Sequence, residues 1–148
     1  MPTYAVNKKA RFDYEILETF EAGLVLTGPE VKAVRGKQIK LSGSFVTFHD
    51  EVAYLLNTHI SKYKYSTLKD YEPERSRKIL LNKKQIAYLT GKMQEKGLTI
   101  VPLSVYTKGR KIKVEIGIGR GKKQYDKKRV LKERQEGRDM RRALKGDY

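Results

Sequence analysis

The stretch KIKVEIGI, Lys111 to Ile118, decides how the rest of the chain reads. Ile112, Val114, Ile116 and Ile118 fall on one side of a two-residue repeat, and Lys111, Lys113 and Glu115 fall on the other. A repeat of two is the period of a β-strand, whose successive side chains point to opposite faces. One face of this strand therefore belongs to a core and the other to water or a partner. Just upstream, Leu98 to Thr107 predicts a second long strand, joined to the first through Lys108-Gly109. Two long strands with a tight turn are a hairpin, the seed of an antiparallel sheet.

Working outward, the near-alternation of Phe12, Tyr14, Ile16 and Phe20 predicts a strand over 12–20, with a turn at Ala22-Gly23 and a short strand over 24–26. TGPEVKAVRG then predicts a short helix. Thr27 and Glu30 have capping-box spacing, Pro29 suits a first helical turn, and Gly36 suits the stop. Residues 45–49 and 52–57 flank Asp50-Glu51 as a hairpin. Residues 61–78 show no sustained period and contain Pro73, so they read as an exposed loop. Asn82 opens a second helix, with Gln85 three residues on, Ile86, Leu89 and Met93 on one face, and Gly97 closing it. The sum is about six strands and two to three packed helices without βαβ alternation. That predicts a mainly β fold, a small antiparallel barrel over 1–118.

Past Ile118 the pattern stops. Val130, Leu131, Met140, Ala143 and Leu144 bury too little surface to offset about 1–2 kcal/mol of backbone entropy per residue. Residues 119–148 therefore read as a tail, disordered when free. Residues 129–145 are nevertheless rich in good helix formers, so a polyanion could fold them.

Charge narrows the function. The 148 residues carry 33 Lys and Arg against 17 Asp and Glu, a net +16. Self-repulsion on that scale opposes compaction, and nucleic acid is its usual compensation. From Arg120 onward 12 basic residues face 5 acidic ones, so the tail is denser in charge than the body. The chain has no cysteine, which excludes disulfides and thiolate metal sites. His49 and His59 lack metal-ligand spacing, so no metal and no cofactor is expected. No run of about 18 apolar residues suggests a membrane span, and the first residues lack a secretory h-region, so a cytoplasmic protein is predicted.

GRGKK at 119–123 lacks the Gly-x4-Gly-Lys-Ser/Thr pattern of a phosphate loop. The carboxylates Asp13, Glu15, Glu18 and Glu21 could form a metal-dependent nuclease site only if they converged, and their alternation splits them between strand faces. The residue pattern favours a binding protein without catalysis. Tyr63, Tyr65 and Tyr71 lie in the basic loop and Tyr125 in the tail, where stacking on unpaired bases is a natural use. Tyr14, Tyr88 and Tyr106 sit on patterned elements and read as core or rim. A structured-RNA or single-strand nucleic-acid barrel with a basic arm fits these features.

Three blocks make a more specific match. Residues 7–46, residues 75–82 with 97–103, and residues 113–128 together resemble the small protein B family, the bacterial proteins that bind transfer-messenger RNA (SsrA RNA). The resemblance implies an oligonucleotide-binding-type barrel docked on the tRNA-like domain of that RNA. It also implies delivery to stalled ribosomes in trans-translation, as an adaptor that is a monomer on the RNA. By that resemblance Glu21, Leu80 and Lys113 hold the RNA. Arg11, Lys32, Arg35, Arg75, Arg77 and Lys78 lie in matching basic blocks, most of them facing phosphates, and Phe12 offers the RNA a stacking ring. Lys122, Lys123, Tyr125, Asp126, Lys127, Lys128 and Arg129 begin the tail, which becomes helical at the ribosome's decoding centre and messenger channel. Phe12 and Tyr125 stand where the family often has histidine, and Lys128 where it has arginine. Lysine keeps the charge but loses the planar fork. A general RNA-binding barrel unrelated to ribosome rescue is the alternative.

Overall fold

The computed structural model describes residues 2–67 and 69–122. In chain order the elements are β1 (Thr3–Val6), α1 (Lys8–Asp13), β2 (Tyr14–Leu24), α2 (Gly28–Arg35), β3 (Ile39–Lys40), β4 (Phe45–His49), β5 (Val52–Leu56), β6 (His59–Ile60), β7 (Arg77–Leu80), α3 (Lys83–Met93), β8 (Leu98–Lys108) and β9 (Lys111–Gly121). Seven strands form one antiparallel sheet in the order β1-β8-β9-β2-β7-β5-β4, and β3 pairs with β6 in a separate ribbon. The sheet curls until β4 packs beside β8, which makes the expected barrel. No described helix is long and apolar enough to cross a membrane.

The alternation in KIKVEIGI does what its period requires. Ile112, Val114, Ile116 and Ile118 are buried, joined by Ile100 and Val105 of β8 and by Val46, Leu55 and Ile79. Full burial of each such side chain contributes about 1.5–3 kcal/mol. Both predicted helices are present with reciprocal capping boxes: Thr27 with Glu30, and Asn82 with Gln85. Each box satisfies amide groups that a helix start leaves unpaired.

The N-terminal half departs from expectation. Residues 8–13 form a helix where a strand was predicted from residue 12, so Phe12 is helical. The cause is Asn7, whose Oδ1 accepts the Ala10 N–H at 3.1 Å while its Nδ2 donates to the Pro102 and Leu41 carbonyls at 2.9 and 3.3 Å. The predicted turn at Ala22-Gly23 is absent, and β2 runs unbroken to Leu24. Small residues stand there because the space is taken. A Cβ on Gly23 would lie 3.3 Å from Leu80 Cδ1, tighter than ordinary contact. The loop reading of 61–78 fails at its last two residues, which belong to β7. Strand β9 continues three residues past Ile118, the expected end of the barrel. It passes Tyr14 so closely that a Cβ on Gly119 would sit 2.9 Å from Tyr14 Cβ. The strand count among the described residues is nine against about six expected: two expected strands merge in β2, while the short strands β1, β3, β6 and β7 were not foreseen because they pair only with distant partners.

Candidate nucleic-acid interface

Sheet register sets this site. Leu80 on β7 pairs with Gly23 on β2, Gly23 with Lys113 on β9, and Lys113 with Tyr106 on β8. Paired residues point to the same face of a sheet. These four positions therefore form one row across four strands on the face away from the core. Glu21, two residues before Gly23, shares that face and pairs with Glu115. Glu21, Leu80 and Lys113, which are far apart in sequence, are thus brought together. Leu80 is 55% exposed, leaning over the notch that Gly23 leaves. Lysine, carboxylate and leucine side by side offer a phosphate contact, an acceptor for base amino groups and an apolar surface for a sugar or base.

Glu21 is held in place from two sides. The Tyr106 hydroxyl donates to Glu21 Oε2, and Lys108 Nζ lies 3.5 Å from Oε1. The Tyr106 hydrogen bond is the largest influence and keeps the carboxyl below its usual range; burial opposes it, and Lys108 and then the charge of Lys113 add to the lowering. Burial pushes the Tyr106 phenol up, and the bond to Glu21 pushes it further. Tyr106 was expected in the core or rim and is in fact a member of this face. The clean alternation of 111–118 defined the face, but which β8 residue meets it depends on a register shift between Pro102 and Ser104. At the edge of the face, Arg11 Nη2 reaches Glu115 Oε1 at 3.4 Å.

The other expected contacts do not all converge here. Lys78 shares the outer face of β7 with Leu80 and sits opposite Tyr54 of β5. Phe12 is half-buried on α1. Lys32 and Arg35 are exposed on α2. That helix lies on the inner side of β7, because its Glu30 reaches Arg77, whose side chain points inward.

Arg77 is a correction. It was expected against phosphate, yet its side chain is 0% exposed. Its Nε donates to Glu30 Oε2 at 2.8 Å, Nη1 donates to the Thr58 carbonyl at 2.7 Å, and Nη2, 2.7 Å from the same Glu30 oxygen as an ion pair, donates to the Pro73 carbonyl and the Tyr71 hydroxyl. The strand alternation of β7 explains this: Arg77 shares the inner face with Ile79, and Lys78 the outer face with Leu80. Arg75 also spends its guanidinium on Glu30, through Nε at 3.1 Å and through Nη2. Burial alone would raise the Glu30 carboxyl, but the two arginines and the Thr27 backbone amide bring it to about 2.

Lys122 anchors the end of β9. Its amide donates to the Asp13 carbonyl at 2.9 Å and its Nζ reaches the Arg11 carbonyl at 3.3 Å. Lys123, Tyr125, Asp126, Lys127, Lys128 and Arg129 lie outside the described residues. Among the described residues no group of three or more His, Asp or Glu side chains could hold a metal ion. Glu18 receives the Tyr88 hydroxyl at 2.6 Å, away from the Tyr106–Glu21 bond. His49 and His59 sit beside Asp50 and Glu74.

A basic antiparallel barrel with this polar outer face defines an RNA-binding protein of the small-barrel class. Comparison with known proteins gives the family: the model for the SmpB protein matches residues 4–146, and the chain belongs to that family. An SsrA-binding protein of Microcystis aeruginosa is 50% identical over 140 residues, covering 94% of this chain and 91% of its own length. That of Lactobacillus helveticus is 50% identical over 138 residues, 93% and 91% of the two chains. A chain of the solved structure described as "tmRNA-SmpB: a journey to the center of the bacterial ribosome" superposes with a TM-score of 0.70 at 45% identity, over 84% of this chain and 87% of that one.

Proposed function

We infer that this protein binds transfer-messenger RNA and brings it to stalled ribosomes, as an adaptor in trans-translation. The observation that carries this reading is the convergence of Glu21, Leu80 and Lys113 on one outward face, in a chain about half identical to SsrA-binding proteins. The barrel grips the tRNA-like domain. Lys113, with Lys78 and Arg11 around it, neutralises phosphates and releases counterions. Glu21, kept ionised and oriented by Tyr106, accepts hydrogen bonds from base amino groups, and Leu80 packs on the exposed RNA surface. The face carries out recognition, and we assign no bond-breaking step to it.

The tail carries the second half of the task. Lys122, Lys123, Tyr125, Asp126, Lys127, Lys128 and Arg129 contact the ribosome in the cytoplasm, and the segment beyond becomes helical when ribosomal RNA neutralises it. Paying for that ordering only on an empty messenger path makes the step selective.

The test is affinity for an isolated tRNA-like RNA fragment across a salt series. Lys113→Ala is expected to weaken binding about tenfold and to reduce the slope of log K against log salt by about one. Equal binding of unrelated duplex and single-stranded RNAs, insensitive to Lys113→Ala, would instead identify a general RNA-binding barrel.

A further inference from the structure

Between α2 and the 61–76 loop lies an open groove of about 540 Å³, bounded by Pro29, Lys32, Tyr63, Tyr65 and Thr67. The Tyr63 and Tyr65 rings meet edge to face, with centroids 5.5 Å apart and planes at 68°. Lys32 Nζ lies 5.4 Å from the Tyr63 centroid, and Lys64 Nζ lies 5.5 Å from that of Tyr65. Tyr63 rests partly against the core, and its carbonyl accepts the Ser66 amide at 2.9 Å, closing the turn that presents the pair. Tyr65 is 71% exposed.

Folding gives no reason for that exposure. A tyrosine ring left in water forgoes its burial energy, and the ring pair holds it in one orientation instead of letting it fold inward. The described lining contains no carboxylate, and two ammonium groups stand over the rings. An aromatic face beside cations is the arrangement that takes an unpaired base on the ring and its phosphate on the lysine. A duplex offers no free base face to such a ring.

We propose that the Tyr63–Tyr65 groove, with Lys32 and Lys64, is a second RNA site that stacks one unpaired base, separate from the Glu21–Leu80–Lys113 face. It takes from the reading above only that the partner is RNA.

The experiment uses the full chain and a hexaadenylate carrying one central 2-aminopurine, whose fluorescence is quenched when the base stacks. The wild type is expected to quench it. Tyr65→Ala should abolish the quench and weaken binding between about five- and a hundredfold, the range of one lost base stack. Tyr65→Phe, which keeps the ring, should retain the quench, and so should Lys96→Ala, at an exposed lysine outside the groove. Absence of quenching by the wild type, unchanged quenching in Tyr65→Ala, or its loss in Lys96→Ala would overturn the site. Affinity for the tRNA-like fragment is measured alongside with the same variants. Its failure with the quench intact would remove the adaptor reading and leave the groove standing.

Discussion

Tyr106 hydrogen-bonds Glu21 across an intervening strand. The tyrosine is on β8, the glutamate on β2, and β9 runs between them. Tyr106 pairs with Lys113 and Glu21 with Glu115, so the bond crosses β9 on the diagonal, one pleat repeat along. The long tyrosine side chain spans that distance, and its hydroxyl fixes a carboxylate that would otherwise sweep solvent.

Tyr106→Phe should therefore release Glu21 without disturbing the core. The first consequence is in titration: Glu21 moves up toward the ordinary carboxylate range, because the largest influence holding it down is gone. A carboxyl depressed in the folded state contributes stability above its unfolded value and loses it as pH falls through the folded one. The variant has less of that contribution to lose in acid. Side-chain carbon shifts followed against pH read this directly, and an unmoved Glu21 titration would contradict the role given to Tyr106.

Gly23 supports Leu80 by having no side chain. In Gly23→Val the branched side chain enters space now held by Leu80. We expect a destabilisation of about 1–3 kcal/mol from the overpacking, together with weaker RNA binding as Leu80 is displaced. Leu80→Ala should reproduce the binding loss with little change in stability, since that side chain is already more than half exposed. Thermal melts and RNA affinity on both variants separate the two effects.

Glu30 and Arg77 form a charged pair inside the barrel, tied to the 61–76 loop through Arg75, Tyr71 and the Pro73 carbonyl. Glu30→Gln leaves a buried guanidinium without its counter-charge, which costs about 3–5 kcal/mol. The pH dependence follows from the depressed carboxyl. Its stabilisation is fully present above about 4.5 and is lost as pH falls through about 2. On the order of 3 kcal/mol is at stake over that window. Acid unfolding of the wild type should be steep there and shallow in the variant.

Truncation after Lys122 should leave affinity for the tRNA-like fragment within about twofold, because the outer face ends before that point. It should abolish tagging in a stalled-ribosome assay. Parallel loss of both activities would contradict the division between barrel and tail.

Local signals survived folding and non-local ones did not. The strand at 111–118 was legible because period two needs no partner. The two helix starts were legible because Thr27 with Glu30 and Asn82 with Gln85 are complete within four residues. Strand β1 carries no such mark: TYAV becomes a strand only because β8 lies beside it. Residues 8–13 became a helix because Asn7 found the Pro102 carbonyl, 95 residues away. Arg77 shows the same limit for the site. An arginine in a basic block resembles a phosphate ligand, and only its inward register and its pairing with Glu30 show otherwise. Glu21, Leu80 and Lys113 were named from family resemblance, while Tyr106, which joins them, needed the sheet.

The central claim is that one RNA is the partner, and the most direct measurement is to purify the full-length protein from its native cells with its bound RNA and sequence that RNA. The account predicts one dominant species with a tRNA-like end and a short reading frame, depleted when Lys113 is changed to alanine. A broad mixture of tRNA, ribosomal and messenger fragments, the same with and without Lys113, would contradict it.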